Sequence, residues 1–288
     1  MDADKFKKAA KFSLMEKRKP RIGIALGAGS ARGWAHIGVL QVLKKAGIVP
    51  DIVCGTSIGS LVGAVYAGDR LDELEQWVGS LNWRKVVGYF DLAFSSGLLK
   101  GGRLFTFLRD DFLNKDIESL TRPFAAVATD LESGREVWLR SGPVADAVRA
   151  SIATPGLFTP WLSEDRLLVD GALVNPVPVS LARAMGAEFV IAVDLSSSLI
   201  GRYANSGTGE RPSKGPSMVE IMTASLNIMS VRITRSRLAG EPADGIIQPR
   251  LGHLGLLEYH RGAEAMAEGR AAAELAYPHI RRALQDFW

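Results

Sequence analysis

Cysteine is nearly absent. Cys54 is the only one in 288 residues, so no intrachain disulfide can form and a cysteine-rich metal site is excluded. That suits a reducing compartment. Histidine is scarce as well, with only His36, His253, His260 and His279, which leaves few imidazoles to serve as catalytic bases. No run of about twenty apolar residues, the length a bilayer span needs, occurs anywhere, and the first residues lack the uninterrupted apolar stretch of a secretory leader. The expectation is a soluble, cytoplasmic chain with at most surface contact with membrane. No long basic block interleaved with aromatic residues appears in the body of the chain and the formal charge is a mild +4, so no nucleic-acid partner is expected. There is no internal repeat.

With 47% hydrophobic and 23% charged residues the composition is that of a globular protein with ample core material. Most of the excess charge lies before the first apolar run, where Lys5, Lys7, Lys8, Lys11, Lys17, Arg18 and Lys19 outnumber Asp2, Asp4 and Glu16. Residues 1–20 therefore read as a basic arm, either resting on anionic lipid as a peripheral membrane contact or solvated as a chain end. Residues 21–288 read as a single domain, with the motifs gathered in 21–185.

Apolar strand-like runs at 21–26, 50–54, 123–129, 166–169, 188–193 and 245–248 alternate with segments of helical spacing at 34–46, 61–67, 69–82, 104–113, 144–150, 176–185, 218–238 and 259–284. This alternation predicts an α/β fold, a mostly parallel central sheet covered by helices on both faces. The stretch 83–103 mixes apolar residues with glycine and reads either as the wall of an apolar cleft or as a packed loop. The Ser- and Gly-rich stretch 196–216 reads as a loop.

The chain is organised around Gly55-Thr56-Ser57-Ile58-Gly59, set between a strand-like and a helix-like run. A serine on a sharp strand-to-helix turn needs glycines on both sides, since a Cβ there would collide with neighbouring backbone, and the turn lifts the hydroxyl clear. Ser57 is the candidate nucleophile. A second turn, Gly27-Ala28-Gly29-Ser30-Ala31-Arg32-Gly33, follows the first strand and leaves backbone amides pointing at whatever anion sits there. A dinucleotide fingerprint would need its third glycine where Arg32 stands. An oxyanion hole for Ser57, built from amides near Gly29 and Ser30, fits better, because both turns lie on the same edge of one right-handed unit.

A serine hydroxyl needs a base. His36 falls early in a helix, where packing is its expected role, and His253 or His260 would complete a triad of the Ser, acid, His order. Asp130, Asp170 and Asp194 each end a predicted strand and so fall at the ligand-binding edge. Asp170, followed directly by Gly171, is the first choice; Asp130 fits equally as the cap of a turn and Asp194 as the cap of the segment after it.

Taken in order, Gly27 to Gly33 with Ala35-His36-Ile37-Gly38-Val39-Leu40, then Gly55 to Gly59, then Asp170-Gly171-Ala172, resemble the patatin-like phospholipase family. The loop 154–160 and Gly97-Leu98-Leu99-Lys100-Gly101 look like the family's too. The resemblance is closest to bacterial proteins related to the catalytic part of neuropathy target esterase. It implies the three-layer patatin-like fold and a serine acyl hydrolase with a Ser-Asp dyad, Ser57 and Asp170, working without histidine. It also implies an oxyanion hole at Ala28, Gly29 and Ser30, supported by Gly27, Arg32, Gly33, Gly55, Gly59 and Gly171, with Arg32 fixing the loop or meeting a phosphate. The implied substrate is a fatty acyl ester, of phospholipid or lysophospholipid type, and the chemistry requires no metal or organic cofactor. The alternatives are a non-catalytic lipid-binding or regulatory protein on the same fold and, behind it, a nucleotide-binding Rossmann-like protein using the glycine-rich turn.

Overall fold

The aliphatic runs form strands buried on both faces, as a parallel sheet between two helical layers requires. The structure, a computed structural model, describes residues 18–89, 91–92, 99–100, 102–198 and 218–287. Strand β1 (Ile22–Leu26) leads through a 3-10 turn, Ser30–Trp34, into α1 (Ala35–Lys45), and β2 (Ile52–Thr56) leads into α2 (Ile58–Ala67), α3 (Leu71–Gly79) and α4 (Trp83–Tyr89). The short strands β3 (Asp91–Leu92) and β4 (Leu99–Lys100) pair with each other, and α5 (Gly102–Asp111) precedes β5 (Phe124–Asp130), β6 (Glu136–Leu139) and α6 (Val144–Ser151). Then come β7 (Trp161–Ser163), β8 (Arg166–Asp170), α7 (Val179–Ala184), β9 (Phe189–Val193), α8 (Met218–Gly240), β10 (Gly245–Ile247) and α9 (Gly262–Asp286). Of the expected features, most of the basic arm, the loop after Ser198 and the middle of 83–103 lie outside the described residues.

Five strands run parallel in the order β10-β9-β1-β2-β5. Their residues alternate between two cores. Ile24, Leu26, Phe189, Ile191 and Val193 face α1, α2 and α9, while Ala25, Cys54, Val190 and Ala192 face α7 and the end of α8. Cys54 is fully buried there, and burial pushes its thiol far above the usual value.

One edge of β5 carries antiparallel β6 along Ala126–Thr129. The other edge is shared. Parallel β2 pairs with β5 as far as Val127, and antiparallel β8 takes over at Ala128 and continues to Asp130. Strands β2 and β8 thus approach each other end to end, and their last residues, Thr56 and Asp170, sit opposite adjacent positions of β5. Asp170 thus lies at the expected edge, by a different route. It does not reach the carboxyl edge by ending a parallel strand; it runs back to that edge from outside.

Helices α1 and α9 pack closely because glycines face the partner backbone. A Cβ added at Gly38 would strike the Met266 carbonyl, and one at Gly269 the Ala35 carbonyl. We expect Gly269→Ala to cost about 2 kcal/mol in urea unfolding, the scale of an overpacked core. Gly79→Ala, at a position with nothing within 4 Å of an added Cβ, serves as the neutral control.

Candidate active site

Ser57 stands between β2 and α2 with φ 54° and ψ −126°, a backbone conformation that L-residues rarely adopt. The turn is tight on every side: a Cβ on Gly55 would run into the Gly59 carbonyl, and one on Gly59 into the carbonyls of Leu26 and Gly27. The Ser57 amide donates to Ser151 Oγ (2.9 Å), whose own hydroxyl donates to the Val127 carbonyl (2.6 Å). Ser151, at the end of α6, therefore ties the turn to the point on β5 where β2 and β8 meet.

The Ser57 hydroxyl donates to Asp170 Oδ2 at 2.7 Å. Asp170 is 3% exposed and its carboxylate is held from two further directions, by Thr154 Oγ1 donating to Oδ2 (2.6 Å) and the Ala172 amide donating to Oδ1 (2.9 Å). Its backbone is fixed too, since Thr129 Oγ1 donates to its carbonyl (2.9 Å) and its amide donates to Ala153 O (3.0 Å). Burial raises the carboxyl above its usual range, and the hydrogen bonds from Thr154, Ala172 and Ser57 oppose the rise. A Cβ on Gly171 would strike the Val127 carbonyl, so glycine is needed for Asp170 to sit so near β5. The other two aspartates have local duties. Asp130 accepts from the amides of Glu132 and Ser133, and Asp194 accepts from Ser196 and from Gln248 Nε2.

In the glycine-rich turn the amides of Gly27 and Ala28 donate to Val193 O (3.0 Å) and Pro176 O (2.9 Å), and that of Ala31 to Leu256 O (3.1 Å). Ala28 departs from expectation here: its amide is engaged in docking the turn onto the segment before α7. Among the described residues the amides of Gly29 and Ser30 have no such partner, and Ser30 holds φ 51°. Gly33 is wedged against Ile58, the residue after Ser57, which couples the two turns. Arg32 is 1% exposed and its Nε donates to Leu254 O (2.9 Å), so it fixes the loop. His36, also fully buried, donates from Nε2 to the Gly27 carbonyl (2.7 Å), and burial lowers its pKa to about 4 in spite of that bond. His253 pairs with Glu264, and His260 lies edge-on to Trp83.

Ser30, Ser57, Thr154 and Tyr259, all hydroxyl-bearing, line a pocket of about 630 Å³, mouth included. The rest of its wall is apolar, with Trp34, Leu61, Trp77, Leu81 and Leu108 prominent. Val86 of α4 also lines it, so part of the mixed stretch 83–103 does border the cleft.

The profile of the patatin-like phospholipase family matches residues 24–183, a span that holds both turns, Ser57 and Asp170. The chain belongs to the patatin-like phospholipase family. It is 31% identical over 328 aligned positions to an uncharacterized NTE family protein of Mycobacterium bovis, covering 89% of this chain and 91% of that one. It is 38% identical over 186 positions to a patatin-like phospholipase domain-containing protein of Caenorhabditis elegans. It is 35% identical over 184 positions to patatin-like phospholipase domain-containing protein 6 of Mus musculus. Those two alignments each cover 61% of this chain but only 14% of the longer protein. Membership, in the NTE-related part of the family, implies hydrolase activity on lipid esters. Among the described residues no helix is long and apolar enough to cross a membrane.

Ser151, Thr129 and Tyr259 are neighbours of the site that spacing and motif did not single out; Thr154 opens the loop 154–160 that resembles the family's, but its contact with Asp170 was not expected. Two measurements check the local physics. Ser57→Gly and Ser57→Ala both remove the hydroxyl, but only glycine relieves the backbone, so we expect the glycine variant to be the more stable by about 1 kcal/mol in thermal unfolding. His36, lowered to about 4 from 6.5, is neutral in both states above pH 6.5 and is protonated in the unfolded chain first as pH falls. Stability is therefore lost between those values, by on the order of 3 kcal/mol. His36→Gln, which keeps a donor for Gly27, should flatten that part of the pH profile. Asp170, being raised, acts in the opposite direction over the acid range and is present in both proteins, so it cancels in the comparison.

Proposed function

We propose that this protein is a serine acyl hydrolase that cleaves fatty acyl esters, of phospholipid or lysophospholipid type, through a Ser57–Asp170 dyad and an acyl-enzyme. The observation that carries this reading is the 2.7 Å bond from the hydroxyl of Ser57, which lines a largely apolar pocket, to a buried carboxylate. A carboxylate in water is too weak a base for a serine hydroxyl. Burial raises Asp170 and so strengthens it, and the donors at Thr154 and Ala172 orient it, the task an imidazole's partner performs in a triad.

In the first step Asp170 takes the Ser57 proton as Oγ attacks the ester carbonyl, and negative charge develops on the carbonyl oxygen. The amides of Gly29 and Ser30 receive that charge. The leaving alcohol or lyso-lipid takes the proton back from Asp170. Water then attacks the acyl-enzyme with Asp170 again as base, and Ser57 is released. The acyl chain occupies the apolar part of the pocket. The closed fit of Arg32 inside the protein supports a loop-fixing role over one in binding a phosphate.

The test is hydrolysis of short and medium p-nitrophenyl acyl esters. Ser57→Ala should abolish turnover and Asp170→Asn should lower kcat by about 10²- to 10⁴-fold, the usual worth of a general base. Both variants should retain the thermal transition of a folded protein. His253→Ala and His260→Ala should stay active; loss of activity in either would replace the dyad with a triad. In wild type kcat/KM should fall on the acid side with an apparent pKa above the ordinary carboxylate range, because Asp170 must be ionised to act.

A further inference from the structure

The glycine-rich turn is gripped by a segment from the far end of the chain, beyond the residues the family profile matches. The Ala31 amide donates to Leu256 O (3.1 Å), Arg32 Nε donates to Leu254 O (2.9 Å), and the Ser30 hydroxyl shares a 2.7 Å hydrogen bond with the Tyr259 phenol. That segment is itself braced. Glu258 accepts from the Gly255 amide (2.6 Å) and pairs with Arg261 (2.8 Å), and the Tyr259 ring meets Trp34 edge-on at 6.1 Å.

Ser30 holds φ 51° without being a glycine. An unanchored serine would favour the ordinary right-handed or extended regions, and either change would turn the Ser30 amide relative to that of Ala31, which Leu256 O holds, and move Gly29 with it. We infer that Tyr259 is a positioning residue for the oxyanion-binding turn: its phenol holds the Ser30 hydroxyl, and through it keeps the Gly29 and Ser30 amides where charge develops on the ester carbonyl. This rests on the acyl-hydrolase reading of Ser57 and Asp170. Burial pushes the Tyr259 phenol above its usual value; the Ser30 hydrogen bond opposes that and the nearby Asp170 carboxylate adds to it, so the phenol keeps its proton through the catalytic range. Its ring also lines the pocket, and a role through Ser30 must therefore be separated from direct contact with substrate.

A double-mutant cycle separates them. Tyr259→Phe keeps the ring and removes the phenol oxygen; Ser30→Ala keeps the amide and removes the hydroxyl. With a p-nitrophenyl ester, each is expected to lower kcat by about tenfold and leave KM within about twofold, and the double variant is expected to be no slower than the slower single. Effects that multiply would show Tyr259 acting on substrate directly and overturn the inference. So would a change confined to KM, or a wild-type kcat in Tyr259→Phe. If Tyr259→Phe does not fold, as judged by its thermal transition, Ser30→Ala alone decides, because a wild-type kcat there removes the anchor from consideration. A wild-type protein without Ser57-dependent hydrolysis would bring down the reading of the site together with this inference. An active wild type matched by an equally active Tyr259→Phe would bring down the inference alone.

Discussion

Two strands end against each other on one edge of a third, and the site depends on that meeting. Because β2 and β8 divide the edge of β5 between Val127 and Ala128, Ser57 and Asp170 emerge from opposite directions at one level of the sheet. Neither residue is held by its own strand alone. Ser151 links the Ser57 amide to Val127, and Thr129 holds the carbonyl of Asp170, so both ends are pinned to β5 by side chains. A buried carboxylate would ordinarily be destabilising. Three donors converging on it make it tolerable, and the same burial that disfavours its charge makes it a stronger base.

Close backbone approach is the second constraint. The glycines at 27, 33, 55, 59 and 171 each stand where a Cβ would meet a carbonyl or a packed side chain, so the two turns and the end of β8 fit together only without side chains there. Positive φ at Ser30 and Ser57 is a separate matter, since neither is glycine and each is held by bonds to other parts of the chain. Local strain at both turns is sustained by long-range contacts, as is usual where backbone geometry serves a site.

How much could be seen in advance follows from this division. Strands, helices and the two turns were legible because hydrophobic period and glycine spacing are local; Ser57 stood out by its flanking glycines, whereas Asp170 was one of three strand-ending aspartates and was preferred only for the glycine after it and for the family resemblance. The direction of β8 was not legible, since Leu167–Val169 is a short apolar run like any other and only its register on β5 makes the strand antiparallel. The use of the Ala28 amide by Pro176 was hidden for the same reason: 148 positions of chain separate the two partners. Thr154, Ser151 and Tyr259 belong to residue types found on any surface or in any core. A hydroxyl carries no sequence signal of the carboxylate or carbonyl it will meet, and the family profile ends at residue 183, well before Tyr259.

The burial of Cys54 has a practical side. It is the chain's one thiol, enclosed beside Met185 between the sheet and α7, and its environment strongly disfavours the thiolate. The native protein therefore presents no thiolate to a thiol-directed dye or spin label while it stays folded. A cysteine placed at the pocket mouth or along α9 would be the sole labelling point without any prior substitution, and modification of Cys54 itself would report unfolding of the sheet.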